Sequence, residues 1–561
     1  MARFSGVALV GALAVTGVAQ EAWACGGLFC DSGPTTMPVD QSGENILFIM
    51  DGQTVEAHIQ IQYEGEAARF SWVIPLTAIP EFSVGSQLLF NELLRVSVPS
   101  YGMQQQADQC DPGFGAPLPG GAASNEFAGG SSSSSGGGQN GTQVVFSRTV
   151  GAFDVTVLRG GDAMEVMGWL NDNGYAQLPG TLPLLEGYTR ENFLFAAVKL
   201  TGGAGVDEIH PLVLKYPGNV PCVPLKLTAV AATSDMGVRT FFLGNGRMVP
   251  RGYKHLEVNP LRIDWSNNAA NYKEVLSNAA NDPVAGGQAF VTEFAGPHNA
   301  QDRGFGSQLN ISAFHSEFWD AEVFLNAAPT AVMGLLQQQG LASCQTWACN
   351  YSHPLMQGIL NEFLPVPTGM TEEQFYSNLG GNQALIDMNA WSASGFSAAL
   401  SSRIVVPARH ARDLVLQHPY LTRMFTLISP EEMTQDPEFH ERPELPQVVQ
   451  TRLAVQTTHC DGTTSVALPD GREVWLGNST QWPTWPASMP WAMTIKDIPQ
   501  SGDIITLVDN TSAIDAQLST FNRANGAPTT GCSHAGPVAG STGWSGLMVL
   551  AGLLLAARRR R

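Results

Sequence analysis

Two stretches set a histidine among charged side chains, and the first of them has residue types that can contribute metal ligands. In His315-Ser316-Glu317 with Asp320, imidazole and carboxylates fall within about one and a half helical turns. The neighbouring Phe314, Phe318 and Trp319 favour a plainer use, a helix start packed by aromatic rings. Arg409-His410 with Arg412-Asp413 is a knot of charge that suits an anionic group, or more simply the solvated entrance of a helix. Ser429-Pro430-Glu431-Glu432 reads as helix N-terminal chemistry: a Ser cap, Pro in the first turn and acids against the dipole. Asn281-Asp282 offers oxygens of the kind Ca²⁺ takes, with no spacing that demands the ion. Nucleophile-elbow, metalloprotease, phosphate-loop and EF-hand motifs are absent, and Gly304-Phe305-Gly306 alone is too little for a nucleotide site. Catalytic residues therefore stay unassigned, and neither a metal nor another cofactor is expected. The binding candidates are Trp482, Trp485 and Trp491, carried on Trp482-Pro483-Thr484-Trp485-Pro486 and Pro490-Trp491. Aromatic faces on stiff Pro segments can stack on sugars or peptides, or can clamp the protein's own body.

Cysteine is the other reactive type, with eight at 25, 30, 110, 222, 344, 349, 460 and 532. Cys25/Cys30 and Cys344/Cys349 share a C-x4-C spacing that can close a small loop. No compact His/Cys array accompanies either pair, so Cys25, Cys30, Cys110, Cys222, Cys344, Cys349 and Cys460 are disulfide candidates rather than zinc ligands. Setting Cys532 aside leaves an odd number. One must then be free, lipidated or shared between chains, and connectivity is not legible.

The ends explain the compartment this implies. Residues 1–24 have the pattern of a secretory signal, with Arg3, an apolar run over 4–19 and the small-x-small site Ala22-Trp23-Ala24. Cys25 follows directly, which makes it a lipidation candidate as well. At the other end, residues 535–557 carry no charge and precede four arginines, the pattern of a span whose Arg end stays in the cytoplasm. Thr530-Gly531-Cys532-Ser533 before that span resembles the MYXO-CTERM class of sorting signals. The resemblance implies processing near Cys532 and display on the outer surface; a plain membrane anchor is the other reading. Twenty-nine basic against 49 acidic residues give a net charge of −20, which excludes a cationic footprint for nucleic acid. The partners expected are the membrane, through the C-terminal span or a lipid, and an envelope protein or glycan.

The chain has 561 residues, 44% hydrophobic and 14% charged, enough to build sizeable cores. Strands are expected at 45–50, 55–63 and 69–76. Val55-Glu56-Ala57-His58-Ile59-Gln60-Ile61-Gln62-Tyr63 alternates as a half-buried strand does, and Asp51-Gly52 is a hairpin turn. A helix follows at 88–96. The Gly/Ser-rich residues 107–142 cannot bury enough apolar surface to fold and read as a flexible insertion. Strands at 144–146, 153–158, 193–200, 212–216, 225–231, 238–243 and 289–294 come next, with a helix over 163–173 capped by Asp162. Helices are expected at 321–336, 355–363, 371–379 and 382–391, and short strands near 448–455, 473–476 and 503–508. The fold class is α+β, with a β-rich N-terminal half, a helical middle third and short strands near the C-terminus. The organisation is a signal at 1–24, a β-rich start at 25–106, the insertion at 107–142, an α+β region at 143–300, a mainly helical region at 301–440, a Pro-rich region at 441–531 and the sorting segment at 532–561.

Several of these words together resemble one family. Ala24-Cys25-Gly26-Gly27-Leu28-Phe29-Cys30, Ile59-Gln60-Ile61-Gln62-Tyr63 and Phe70-Ser71-Trp72-Val73-Ile74-Pro75 are similar to the opening of DUF2330. Residues 153–158 with Trp169-Leu170-Asn171-Asp172-Asn173-Gly174-Tyr175, and Pro224-Leu225-Lys226-Leu227-Thr228-Ala229, resemble its middle. Pro419-Tyr420-Leu421-Thr422-Arg423 and Ser429-Pro430-Glu431-Glu432-Met433 extend the likeness to about Phe439. The resemblance implies an extracytoplasmic bacterial protein of undefined activity and supplies no catalytic residues. The expectation is a secreted, surface-retained envelope protein that binds or scaffolds without catalysis. The alternative is an extracytoplasmic hydrolase whose site assembles from distant residues.

Overall fold

The structure, a computed structural model, describes residues 35–36, 43–62, 71–108, 142–175, 181–202, 204–205, 208–229, 232–301, 308–345 and 348–528. The signal segment 1–24, Cys25, Cys30, Cys110, nearly all of 107–142, and 532–561 with Cys532 lie outside the described residues.

The Asp51-Gly52 turn joins strands Gly43–Asp51 and Thr54–Gln62, and Gly52 has a φ of +61°, a left-handed conformation that favours glycine. This hairpin belongs to a ten-stranded mixed sheet. In spatial order its strands are Ile505–Asp509, Ala492–Asp497, Lys254–Val258, Ala289–Pro297, Tyr420–Ile428, Met236–Gly244, Gly43–Asp51, Thr54–Gln62, Leu212–Pro217 and Glu81–Val84. Two neighbouring pairs are parallel, Gly43–Asp51 with Met236–Gly244 and Lys254–Val258 with Ala289–Pro297. The other pairs are antiparallel.

Both faces of the sheet are covered, so its central strands are buried along nearly their whole length. Ile46, Phe48, Ala57, Ile59, Leu214, Val238, Phe242 and Met424 point into one core. That core also takes in the four-stranded sheet of Ser71–Leu76, Leu194–Leu200, Phe153–Arg159 and Gln143–Val150, and the helical region. Pro75 is tolerated in this second sheet because its strand lies at the edge. From the opposite face, Leu47, Ile49, Phe241, Leu243 and Leu421 meet helices Gln87–Ser97 and Val406–Gln417. Further along that face, Val291, Phe425 and Leu427 pack with helices Tyr272–Ala280 and Thr511–Ala524. This core includes the five-stranded sheet of Thr35–Thr36, Ser100–Ala107, Thr451–Thr458, Thr464–Ala467 and Glu473–Gly477.

The class is α+β as expected, β-rich in the N-terminal half, with a helical region near 393–417 and strands toward the C-terminal end. Several elements differ from the sequence reading. The strand expected at 225–231 is a short helix, Leu225–Thr228, whose Lys226 N–H donates to the Asp436 carboxylate; a helix start set by Pro224 overrides the apolar run. The long helix expected at 321–336 is broken into turns by Pro329 and becomes regular only over Val332–Gln338. Only the turn Gln383–Leu385 forms where a helix was expected at 382–391. Helices Thr181–Arg190, Tyr272–Ala280, Ala393–Leu400 and Thr511–Ala524 have no counterpart in that reading, and the helix whose entrance was expected at 409–413 already runs from Val406 to Gln417.

One carboxylate sits in the first core without compensation. Glu44, beside Ile61 and Val238 in register, is buried, and its Oε2 has no hydrogen-bond partner among the described residues. Burial raises its pKa from 4.5 to about 7. A raised carboxylate contributes full stability below its unfolded pKa and loses it as pH climbs through the folded value. Glu44→Gln is therefore expected to leave the thermal midpoint nearly unchanged at pH 4.5. At pH 8 it should stabilise the fold by up to about 3 kcal/mol, at roughly 1.4 kcal/mol per pKa unit. Calorimetry at the two pH values reads the difference.

Candidate functional site

The polar half of the alternating strand Thr54–Gln62 faces inward rather than toward solvent. Successive side chains on a strand alternate faces, so Glu56, His58 and Gln60 share one. Cross-strand pairing sets Ile49 and Lys215 opposite Glu56, and Leu47 and Val213 opposite His58. Glu56 is 5% exposed and His58 1%. A carboxylate so placed needs partners from the layer above.

Helix Val406–Gln417 supplies that layer. It continues Ala393–Leu400 through a widened π turn, Ser401–Val405, in which the Val406 N–H donates to the Ser401 carbonyl. Pro407 explains the widening: it brings no N–H, and in a regular helix its ring would meet the carbonyl four residues back. The extra residue rotates the following face by about 100° relative to an uninterrupted helix. Ala411, Leu414 and Val415 then pack on Leu47 and Ile49, while His410 reaches Glu56.

Both imidazoles converge on one oxygen. Nε2 of His58 lies 2.8 Å and Nε2 of His410 2.5 Å from Glu56 Oε1, although His410 is 354 residues away in sequence. The two rings are nearly parallel, with centroids 6.1 Å apart. Lys215 Nζ lies 3.4 Å from the other oxygen, Oε2. Burial pushes the Glu56 pKa up, but hydrogen bonds from His410 and His58 outweigh it, so the carboxyl is held well below the usual range. Burial also lowers the pKa of His58, which fits a neutral ring donating its Nε2–H to the carboxylate. His410 differs in being 42% exposed along its side chain. It opens onto a cavity of about 200 Å³ lined also by Asp51, Lys215, Asp413, Gln417 and His418. Among the described residues, Glu56, His58 and His410 are a group of metal-ligating type, with ligand atoms all within 4.8 Å of one another. Chemically the arrangement can fix a histidine against an ionised carboxylate at a cavity wall, or hold a cation there.

The sequence reading had these residues in view without joining them. The alternation over 55–63 places Glu56 and His58 in a half-buried strand, and the charged run 409–413 places His410 at a helix entrance. The signal that could have found the pair was Glu-x-His in a strand, a spacing that puts both groups on one face. The charged run 409–413 marked His410, but nothing local tied it to Glu56, 354 residues away.

The tryptophans have other partners. Trp485 is 7% exposed and packs on Phe521, with centroids 5.0 Å apart; Trp482 Nε1–H donates to the Leu261 carbonyl; Trp491 lies under the Arg262 guanidinium at 4.0 Å. Trp485 belongs to the core that contains helix Tyr272–Ala280, and the half-buried Trp482 and Trp491 pack against it. His315 is buried behind the Ile311–Ala313 turn, and Asp320 accepts from the Glu322 N–H. Asp282 accepts from the Val284 N–H in a tight turn. Ser429 and Glu432 form the expected capping box. Cys344 and Cys349 are bonded across a hairpin, Cys460 is disulfide-bonded, and Cys222 is free.

A second constellation was also missed. Asp108 Oδ2, His459 Nδ1, His459 Nε2 and Ser465 Oγ follow one another at 2.9 and 3.0 Å in the order of a Ser-His-Asp triad. Ser465, however, is 1% exposed and its hydroxyl is also bonded to Glu473 at 2.8 Å. His459 is stacked flat on Trp475. A hydroxyl sealed inside a sheet cannot meet a substrate, so this group ties the sheet end together.

The fold and site define an α+β protein with a His/His/Glu cluster where a helix crosses one flank of a mixed sheet. The chain belongs to the DUF2330 family, described as "Uncharacterized protein conserved in bacteria", which matches residues 19–311. The match contains Glu56 and His58 and ends before His410. No curated protein matches the chain. Among solved structures, a mutated baculovirus P35 after caspase cleavage is similar at 11% identity, over 39% of this chain and 80% of that one, with a TM-score of 0.21. A likeness that slight carries no argument.

The packing of Trp485 makes a direct prediction. Trp485→Ala should destabilise the protein by about 3 kcal/mol or more, the usual cost of removing a buried large aromatic. Urea unfolding followed by circular dichroism measures it; an unchanged midpoint would mean the ring is not core.

Proposed function

We propose that this is an extracytoplasmic bacterial envelope protein with a hydrolytic centre at the cavity walled by Glu56 and His410. One observation carries the reading: a buried carboxylate receives two imidazoles beside a cavity, from segments 354 residues apart. Packing alone has no need of a buried charge, whose desolvation costs several kcal/mol before its partners compensate. Perturbed ionisable groups with specific partners in a cleft mark functional sites. The exposed face of His410 and the neighbouring Lys215 and Asp413 offer a substrate both a proton-handling group and charge of either sign.

The compartment rests on the chain ends: a signal segment over 1–24 and a MYXO-CTERM-like segment with Cys532, the uncharged stretch and four arginines. The Cys344–Cys349 bond is in keeping with an oxidising environment. Among the described residues no helix is long and apolar enough to cross a membrane, so attachment falls to the segment after 528 or to a lipid on Cys25 or Cys532. Intact mass spectrometry of protein from its own envelope is expected to show a chain cut after Ala24 and processed or lipidated near Cys532. An uncut mass would refute both addresses.

The hydrolytic reading is tested with the purified mature chain on chromogenic ester, phosphoester and peptide-amide substrates. His410→Ala, a change at a half-exposed helix position, should lower kcat/KM at least 100-fold with the thermal midpoint kept within a few degrees. Absence of turnover across the panel would return the protein to the other reading, an envelope protein that binds or scaffolds a protein or glycan partner without catalysis.

A further inference from the structure

We infer that Glu56, His58 and His410 are a three-ligand site for a divalent first-row metal ion of the zinc class, its open side facing the 200 Å³ cavity. The inference rests on the reading of this cavity as the functional centre and names the cation that centre holds.

The three side chains meet at hydrogen-bond distance, with the Nε2 atoms of His58 and His410 2.8 and 2.5 Å from Glu56 Oε1. One donor atom from each of the three residues lies within 4.8 Å of the others. Donors about 2.0–2.2 Å from one tetrahedral ion stand roughly 3.3–3.6 Å apart, so an ion enters by replacing the two hydrogen bonds to Oε1. Each Nε2 gives up its proton, the ring taking the Nδ1–H tautomer, and the side chains open by about 1 Å or less. The donor set is two imidazoles and one carboxylate, the combination that catalytic zinc sites use while leaving a position for water or substrate. Imidazole nitrogen suits zinc and its neighbours, whereas calcium and magnesium call for an oxygen shell that this group does not provide.

The backbone holds these donors without help from the ion. Glu56 and His58 are fixed on one face of a strand paired on both sides, and His410 on a helix seated by Ala411, Leu414 and Val415. Rigid elements of this kind keep ligand positions more precisely than loops do. Asp413, three residues after His410 on the same helix, lines the same cavity. Lys215, also in the cavity lining, balances the second Glu56 oxygen and, at 45% side-chain exposure, has freedom to swing away or to hold an anionic substrate oxygen. A bound ion of this class lowers the pKa of a coordinated water to about 7, the chemistry hydrolysis requires.

The test uses the full mature chain stripped with a chelator, then titrated with Zn²⁺ by calorimetry and with Co²⁺ by visible absorption. One equivalent of either ion should bind per chain, and Co²⁺ should give the intense absorption bands of a low-coordinate site. His410→Ala should weaken Zn²⁺ binding at least 100-fold while the far-UV spectrum stays unchanged. His58→Ala should do the same if it folds, but its burial makes His410→Ala the deciding variant. No stoichiometric binding, or binding indifferent to His410→Ala, overturns the inference. The hydrolytic reading fails separately. Turnover that depends on His410 in metal-free protein removes the metal and keeps the hydrolase. Stoichiometric zinc without turnover keeps the metal and removes the hydrolase.

Discussion

The covering of both faces of the ten-stranded sheet is the constraint on which the rest of this molecule depends. A strand side chain in such a sheet meets another layer whichever way it points, so a charge there has no water to turn to. Each buried charged group must find a partner in the covering layer or give up its charge. The sheet shows both outcomes. Glu293 is met by Arg423 at 3.0 Å in full burial, with Arg452 and Tyr101 beside them, whereas Glu44, without such a partner, has its pKa raised toward neutrality. Glu56 is the case in which compensation opens onto a cavity.

This gives the helix at 393–417 a role beyond covering apolar surface. Its π turn and Pro407 determine which side chains descend onto strand Thr54–Gln62. Without the extra residue, the set that packs with Leu47 and Ile49 would be rotated by about a quarter turn or more, and His410 would face elsewhere. The apolar anchoring by Ala411 and Leu414 and the polar contact by His410 are therefore one feature, and they explain how a half-exposed histidine is held against a buried carboxylate.

The remaining polar and aromatic groups show why residue type alone does not identify a site. Asp108, His459 and Ser465 have the order of a catalytic triad and no route to substrate, because the hydroxyl lies inside a sheet. Trp482, Trp485 and Trp491 have the composition of a stacking platform, yet their surfaces are used against Leu261, Phe521 and Arg262. For Ser465 and Trp485 burial closes the route to a ligand, and burial belongs to the packed molecule.

Local features were legible in the chain wherever short-range physics governs. The hairpin at Asp51-Gly52, the Asp162-capped helix Ala163–Asp172, the helix Gln87–Ser97 and the Ser429 capping box all follow from turn chemistry, capping and periodicity over a few residues. The acidic balance and the character of the two ends are likewise properties of the sequence itself. Helix 393–400 escaped because its Ala- and Ser-rich segment carries a weak periodic signal and depends on the packing around it. The alternation at 55–62 identified the strand and the common face of Glu56 and His58, but only the tertiary structure decided that this face is interior and that His410 closes it. A period of two says which side chains share a side; what lies across that side is set by contacts 354 residues apart, which no local pattern encodes.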